Sequence, residues 1–134
     1  MANYIYLFRG GKMSGSPEQM QQSMKRWTDW MAELGKSGHF KGGEPLERTG
    51  KVVRGQKKTV TDGPFAEAKE VLGGYWMIQV KSKQEALDWA TRVPAEDGDV
   101  IEIRRVFEMT DFPADVQKAA DSAAVRGKVE KARG

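Results

Sequence analysis

The chain is 134 residues long, enough for one domain with its own core, and its lack of cysteine excludes a disulfide framework and a thiolate zinc site. A single histidine, His39, excludes a histidine metal cluster, and no calcium-type aspartate spacing replaces it, so neither a metal nor a cofactor is expected. The 22 lysines and arginines against 19 acidic residues leave a formal charge of +3, interspersed along the chain, which argues against a nucleic-acid partner on charge alone.

In chain order, Met1 to Phe8 is apolar but too short to span a membrane, and no basic segment precedes it, so a soluble cytoplasmic protein without a membrane partner is expected. Residues 3 to 9 mix aromatic, β-branched and leucine side chains, as an interior strand does. Ser16-Pro17-Glu18-Gln19 combines an N-cap serine, a proline at the first helical position and a reciprocal capping-box glutamine, so a helix starts there. Met20, Met24, Trp27, Met31 and Leu34 then form one stripe at helical spacing, flanked by Trp30, that reads as core facing a sheet; Gly35 and Gly38 end the helix.

Strand-like pieces follow near 39–47, 50–54 and 57–61, divided by Gly50 and Gly55, before the breaker Asp62-Gly63-Pro64, whose proline is placed to open a short helix. Tyr75 to Val80 reads as a strand, Ser82-Lys83-Gln84-Glu85 as a second capping box opening a helix that Pro94 stops, and Val100 to Glu108 as the last strand. The order predicts an α+β, ferredoxin-like βαββαβ sandwich with an antiparallel sheet and both helices on one face. The other face, carrying Tyr, Trp, Met and Val side chains, is costly to expose at about 25 cal/mol per Å² of apolar area, so a homodimer closing over it is expected. The domain is expected to occupy 1–109, with 110–134 an Ala- and Lys-rich appendage, helical or partly disordered.

Several groups are candidates for chemistry. His39 reads either as a structural histidine at the start of the second strand or as a proton-transfer group. Asp62 reads either as an Asx-turn or helix N-cap, or as a general acid or base. Alternation puts Ile101, Ile103 and Phe107 on one face of the last strand and Glu102 and Arg104 on the opposite one, where they form an interface salt bridge or clamp a ligand. Arg48, Lys51, Arg54, Lys57 and Lys58 surround Gly50 and Gly55, as in a solvated surface hairpin or a phosphate-binding ribbon. Gly73-Gly74 belongs to no phosphate-loop motif and reads as a close backbone approach. Glu67, Lys69 and Glu70 read as helix surface.

The run Thr61 to Tyr75, with its Asp62-Gly63-Pro64-Phe65 core, together with Gly42-Gly43-Glu44-Pro45-Leu46, Glu85 to Ala90 and Ile101-Glu102-Ile103-Arg104, resembles the YCII-related family in its Asp-Gly-Pro-Phe branch over about residues 3–109. The resemblance implies a dimeric ferredoxin-like α/β barrel. It also implies a bacterial protein, in a family some of whose relatives are dehalogenating or lyase-like enzymes acting on hydroxylated aromatics. Asp62 matches the turn aspartate of the relatives' His-Asp cleft, His39 does not clearly match their histidine, and Arg105 stands where the branch often has proline. The expected function is a small-molecule enzyme of lyase, isomerase or dehalogenase type working by acid/base chemistry in a dimer cleft. Asp62 and His39 are its catalytic candidates, and Glu102, Arg104 and Phe65 its substrate-binding candidates. The alternative is a non-catalytic ligand-binding or regulatory module; family context suggests an extracytoplasmic-function sigma factor as its partner.

Overall fold

The computed structural model describes residues 1–10, 15–63 and 71–120. Six strands and three helices follow one another as β1 (Ala2–Arg9), α1 (Pro17–Ser37), β2 (Phe40–Pro45), β3 (Gly50–Arg54), β4 (Thr59–Gly63), β5 (Leu72–Val80), α2 (Lys83–Thr91), β6 (Val100–Arg105) and α3 (Ala114–Ala120) among the described residues. One antiparallel sheet has the order β2-β5-β1-β6, and β3 and β4 pair as a separate antiparallel hairpin. No helix among the described residues is long and apolar enough to cross a membrane.

The helices start where the capping chemistry predicts. Ser16 Oγ accepts the Gln19 amide while the Gln19 side chain accepts the Ser16 amide, and Gly38 closes α1 in a left-handed conformation at φ 79°. Ser82 Oγ accepts the Glu85 amide at the start of α2. The helical stripe is rotated from the expected one. Trp30 and Leu34 are the buried positions of α1, Trp27 and Met31 are half-buried, and Met24 is 61% exposed. The flanking tryptophan is thus central, and the buried positions of α1 lie in its C-terminal half.

Both helices lie on one sheet face. Tyr4 and Tyr6 of β1, Trp76, Ile78 and Val80 of β5, Trp30 and Leu34 of α1, and Ala86 and Trp89 of α2 form one cluster, with Phe8, Phe40, Ile101 and Ile103 packed against it. Fully burying each such aliphatic or aromatic side chain stabilises the fold by about 1.5–3 kcal/mol. Three indoles meet at the α1–β5 contact: Trp76 stands 5.5 Å from Trp30 at 67° and 5.7 Å from Trp27 at 90°. Two buried hydrogen bonds hold α2 down, from the Tyr6 hydroxyl to the Ala86 carbonyl and from Trp30 Nε1 to the Trp89 carbonyl at 3.2 Å.

Glycine allows β2 to pair with β5. A Cβ added to Gly43 would sit against Trp76 Cβ, 2.5 Å from the Tyr75 oxygen and 2.7 Å from Trp76 Cα. At Gly74 it would lie 3.2 Å from the Glu44 oxygen, so the close backbone approach expected of Gly73-Gly74 is what the strand pairing needs.

β6 ends at Arg105, short of the expected Glu108, and Phe107 leaves the packed face. It is 62% exposed and stacks edge-on to Phe112 at 5.5 Å. The cause is a clamp. The Arg105 guanidinium forks onto both Asp111 oxygens at 2.8 and 2.9 Å, and Asp111 Oδ2 also accepts the Glu108 amide at 2.7 Å, winding Met109–Asp111 into a 3-10 turn ahead of α3.

Candidate functional site

The sheet face away from the helices carries Asn3, Ile5, Leu7 and Arg9 of β1, Tyr75, Met77 and Gln79 of β5, and Glu102 and Arg104 of β6. Register sets Leu7 between Tyr75 and Glu102, and Ile5 between Met77 and Arg104. No element among the described residues packs over this face. Most of its side chains are half-buried by their neighbours alone.

Across the apolar rows runs a line of charge. Glu102 Oε1 is 3.3 Å from Arg9 Nη2, and its Oε2 accepts from Arg104 Nε. The hydrogen bond from Arg104, followed by that from Arg9, holds the Glu102 carboxyl below the usual carboxylate range, against the opposing effect of desolvation. A carboxylate so held is a poor proton donor at neutral pH. It orients Arg104 instead, gripping Nε of a guanidinium whose side chain is 66% exposed. Sequence alternation brings Glu102 and Arg104 to this face, and the structure adds Arg9, which the alternation of Ile5, Leu7 and Arg9 also carries but which pairs with Glu102 only through the β1–β6 register.

His39 is held elsewhere. Its Nδ1 is 3.0 Å from the Gln79 carbonyl oxygen, its Nε2 is 3.2 Å from Glu85 Oε1, and its ring stands edge-on to Trp89. Glu85 is itself fixed by accepting the Lys81 amide. Both ring nitrogens are thus taken up by protein oxygens, and the arrangement is that of a brace between the start of β2 and α2. Glu85 was visible in sequence only as a capping-box residue.

Asp62 stands on β4, paired across the hairpin with Lys51 of β3 and 81% exposed. No hydrogen bond or ion pair among the described residues joins it to His39 or to the charge line. The amides that an Asx-turn or N-cap would capture, Phe65, and Glu67, Lys69 and Glu70 lie outside the described residues. The expected basic hairpin is present, with Arg54, Lys57 and Lys58 exposed. Arg48 is turned inward and donates to the Gly10 carbonyl at 2.7 Å. Among the described residues no group of three or more His, Asp and Glu stands close enough to hold a metal ion.

Among solved structures, the chain is similar to a 5-chloro-2-hydroxyhydroquinone dehydrochlorinase from Burkholderia phenoliruptrix, in complex with 2,5-dihydroxybenzoquinone. Identity is 13% and the TM-score 0.42, over 84% of this chain and 100% of that one, a likeness that carries no chemistry across. No curated protein matches the chain in sequence. The model of the YCII-related domain matches residues 5–110, most of the length and all of the sheet but the start of β1, and the chain belongs to the YCII-related family.

Proposed function

We propose that the protein is a small-molecule enzyme whose site is the uncovered sheet face, closed by a second copy into a ferredoxin-like dimeric α/β barrel. The observation that carries this reading is the Arg9–Glu102–Arg104 line set among Ile5, Leu7, Tyr75 and Met77 on a face over which no element among the described residues packs. A charge line alone is content on a wet surface. Set in an apolar sheet, it suits a ligand with a flat apolar body and an anionic or enolisable oxygen.

In this reading Arg104 stabilises negative charge developing on the ligand oxygen, and Glu102 holds the guanidinium in place. That is the assistance elimination, isomerisation and dehalogenation of hydroxylated rings require, the reaction range the family resemblance implies. Asp62 is the proton-transfer residue of this reading. Since no contact among the described residues joins it to the charge line within one copy, its part in the reaction rests on the hairpin of one subunit reaching the face of the other.

The test is a thermal-shift and turnover screen with small phenols and lactones. Arg104→Ala is expected to abolish a ligand-induced shift, and Asp62→Asn to keep the shift while lowering kcat by about 10²-fold or more. A screen with neither shift nor turnover defeats the enzyme reading. The rival reading, a regulatory module, draws on the exposed Arg54, Lys57 and Lys58. It predicts salt-dependent binding of a sigma factor or DNA that is lost with Lys57→Glu and Lys58→Glu.

A further inference from the structure

The uncovered face changes polarity along a single row of side chains. Register sets Glu44 of β2 across from Tyr75, Tyr75 across from Leu7, and Leu7 across from Glu102, so the row runs carboxylate, phenol, apolar side chain, carboxylate. At the Glu102 end two guanidiniums, Arg9 and Arg104, meet one carboxylate. At the other end Glu44 is exposed and makes no hydrogen bond or ion pair among the described residues. Tyr75 stands between them, half-buried, and its hydroxyl likewise has no hydrogen-bond partner among those residues.

A ring lying over Leu7 meets a different group at each end. Tyr75 and Glu102 are two strand spacings of about 4.8 Å apart, roughly 10 Å, which accommodates one six-membered ring with a polar substituent at either end. On the β6 side an anionic oxygen finds the Arg104 guanidinium, the ordinary partner of a carboxylate. On the β5 side the phenol donates to a carbonyl or accepts from a hydroxyl. A bare ring end would cover that phenol and leave it unpartnered, which weakens binding because a polar group stripped of water needs a partner. A second anion there would approach Glu44, one strand away, and be repelled by like charge.

We propose that Tyr75 and Glu44 select the far end of the ligand, so that the face takes monoanionic rings with a neutral hydrogen-bonding group opposite the charge and rejects dianions. The proposal rests on the reading of this face as the ligand site and adds a rule of selection to it. Arg104 fixes which end of the ligand lies where. Tyr75 reads whether the opposite end carries a polar group, and Glu44 whether that group is charged.

Calorimetric titration of the full chain with benzoate, 4-hydroxybenzoate and terephthalate tests it. The parent is expected to bind 4-hydroxybenzoate about tenfold or more tighter than the other two. Tyr75→Phe should erase the advantage over benzoate while changing benzoate itself less than about threefold, and Glu44→Gln should tighten terephthalate about threefold or more without weakening 4-hydroxybenzoate. Circular dichroism checks that both variants keep the fold. Equal binding of all three by the parent, equal losses for benzoate and 4-hydroxybenzoate in Tyr75→Phe, or terephthalate unmoved by Glu44→Gln overturns the proposal. If none of the three binds while the phenol and lactone screen yields ligands, this selection rule falls and the enzyme reading stands; if that screen is also empty, both fall.

Discussion

The Tyr6 hydroxyl donates to the Ala86 carbonyl from the middle of the core, with no exposure of the side chain. Burial pushes its pKa well above the tyrosine range, since the phenolate would lose its water; the nearby Arg92 opposes this without reversing it. Tyr6→Phe removes this buried hydrogen bond and is expected to cost about 0.5–1.5 kcal/mol in urea unfolding. The pH dependence has a definite sign. The folded pKa lies above the unfolded one, so the stabilisation is complete below about pH 10 and is lost as pH rises beyond it. Unfolding curves taken from pH 8 to 11 should therefore show a steeper alkaline loss in the parent than in Tyr6→Phe, and parallel losses would reject this account. Glu102 and Arg104 were legible as a pair from alternation alone. Arg9 was not paired with them, because sequence periodicity gives a face but not the register that joins two strands.

At the scale of elements, β2 is the strand whose position depends on single atoms. Gly43 has no room for a Cβ against Trp76 and Tyr75, all of whose blocking atoms are backbone or the base of a side chain. Gly43→Ala must therefore push β2 off β5, and a loss of about 1–3 kcal/mol is expected, with faster amide exchange along β2 as the local signature. Exchange unchanged in β2 would mean the strand adapts in another way. The two large helices, β1, β5 and the hairpin were legible because capping boxes, Gly/Pro punctuation and β-branched runs act locally. The limits of β6 and the rotation of α1 were not. Residues 106–108 read as strand until Asp111 takes the Arg105 guanidinium and turns the chain, and Met24 reads as core by spacing although it stands exposed.

Over the whole molecule, the Arg105–Asp111 fork ties the stretch after β6 to the sheet. Asp111 is held below the ordinary carboxylate range chiefly by the Arg105 hydrogen bond, with the Glu108 amide adding to it, and Arg105 is raised in turn. A lowered folded pKa stabilises above the unfolded value and is lost as pH falls through the folded one. Acidification below about pH 4 is thus expected to free the segment from 106 to 120 before the sheet melts, and Asp111→Asn to do so at neutral pH. Limited proteolysis would show this as early cleavage after Arg105 or at Lys118, whereas cleavage equal to that of the parent would disprove it. The three indoles at the α1–β5 contact have a different consequence. Two belong to the helix and one to the sheet, and their near-perpendicular packing at 5.5 to 6.2 Å couples their ultraviolet transitions. The protein thereby carries its own optical gauge: near-ultraviolet dichroism should report whether α1 is seated on the sheet, with no label attached.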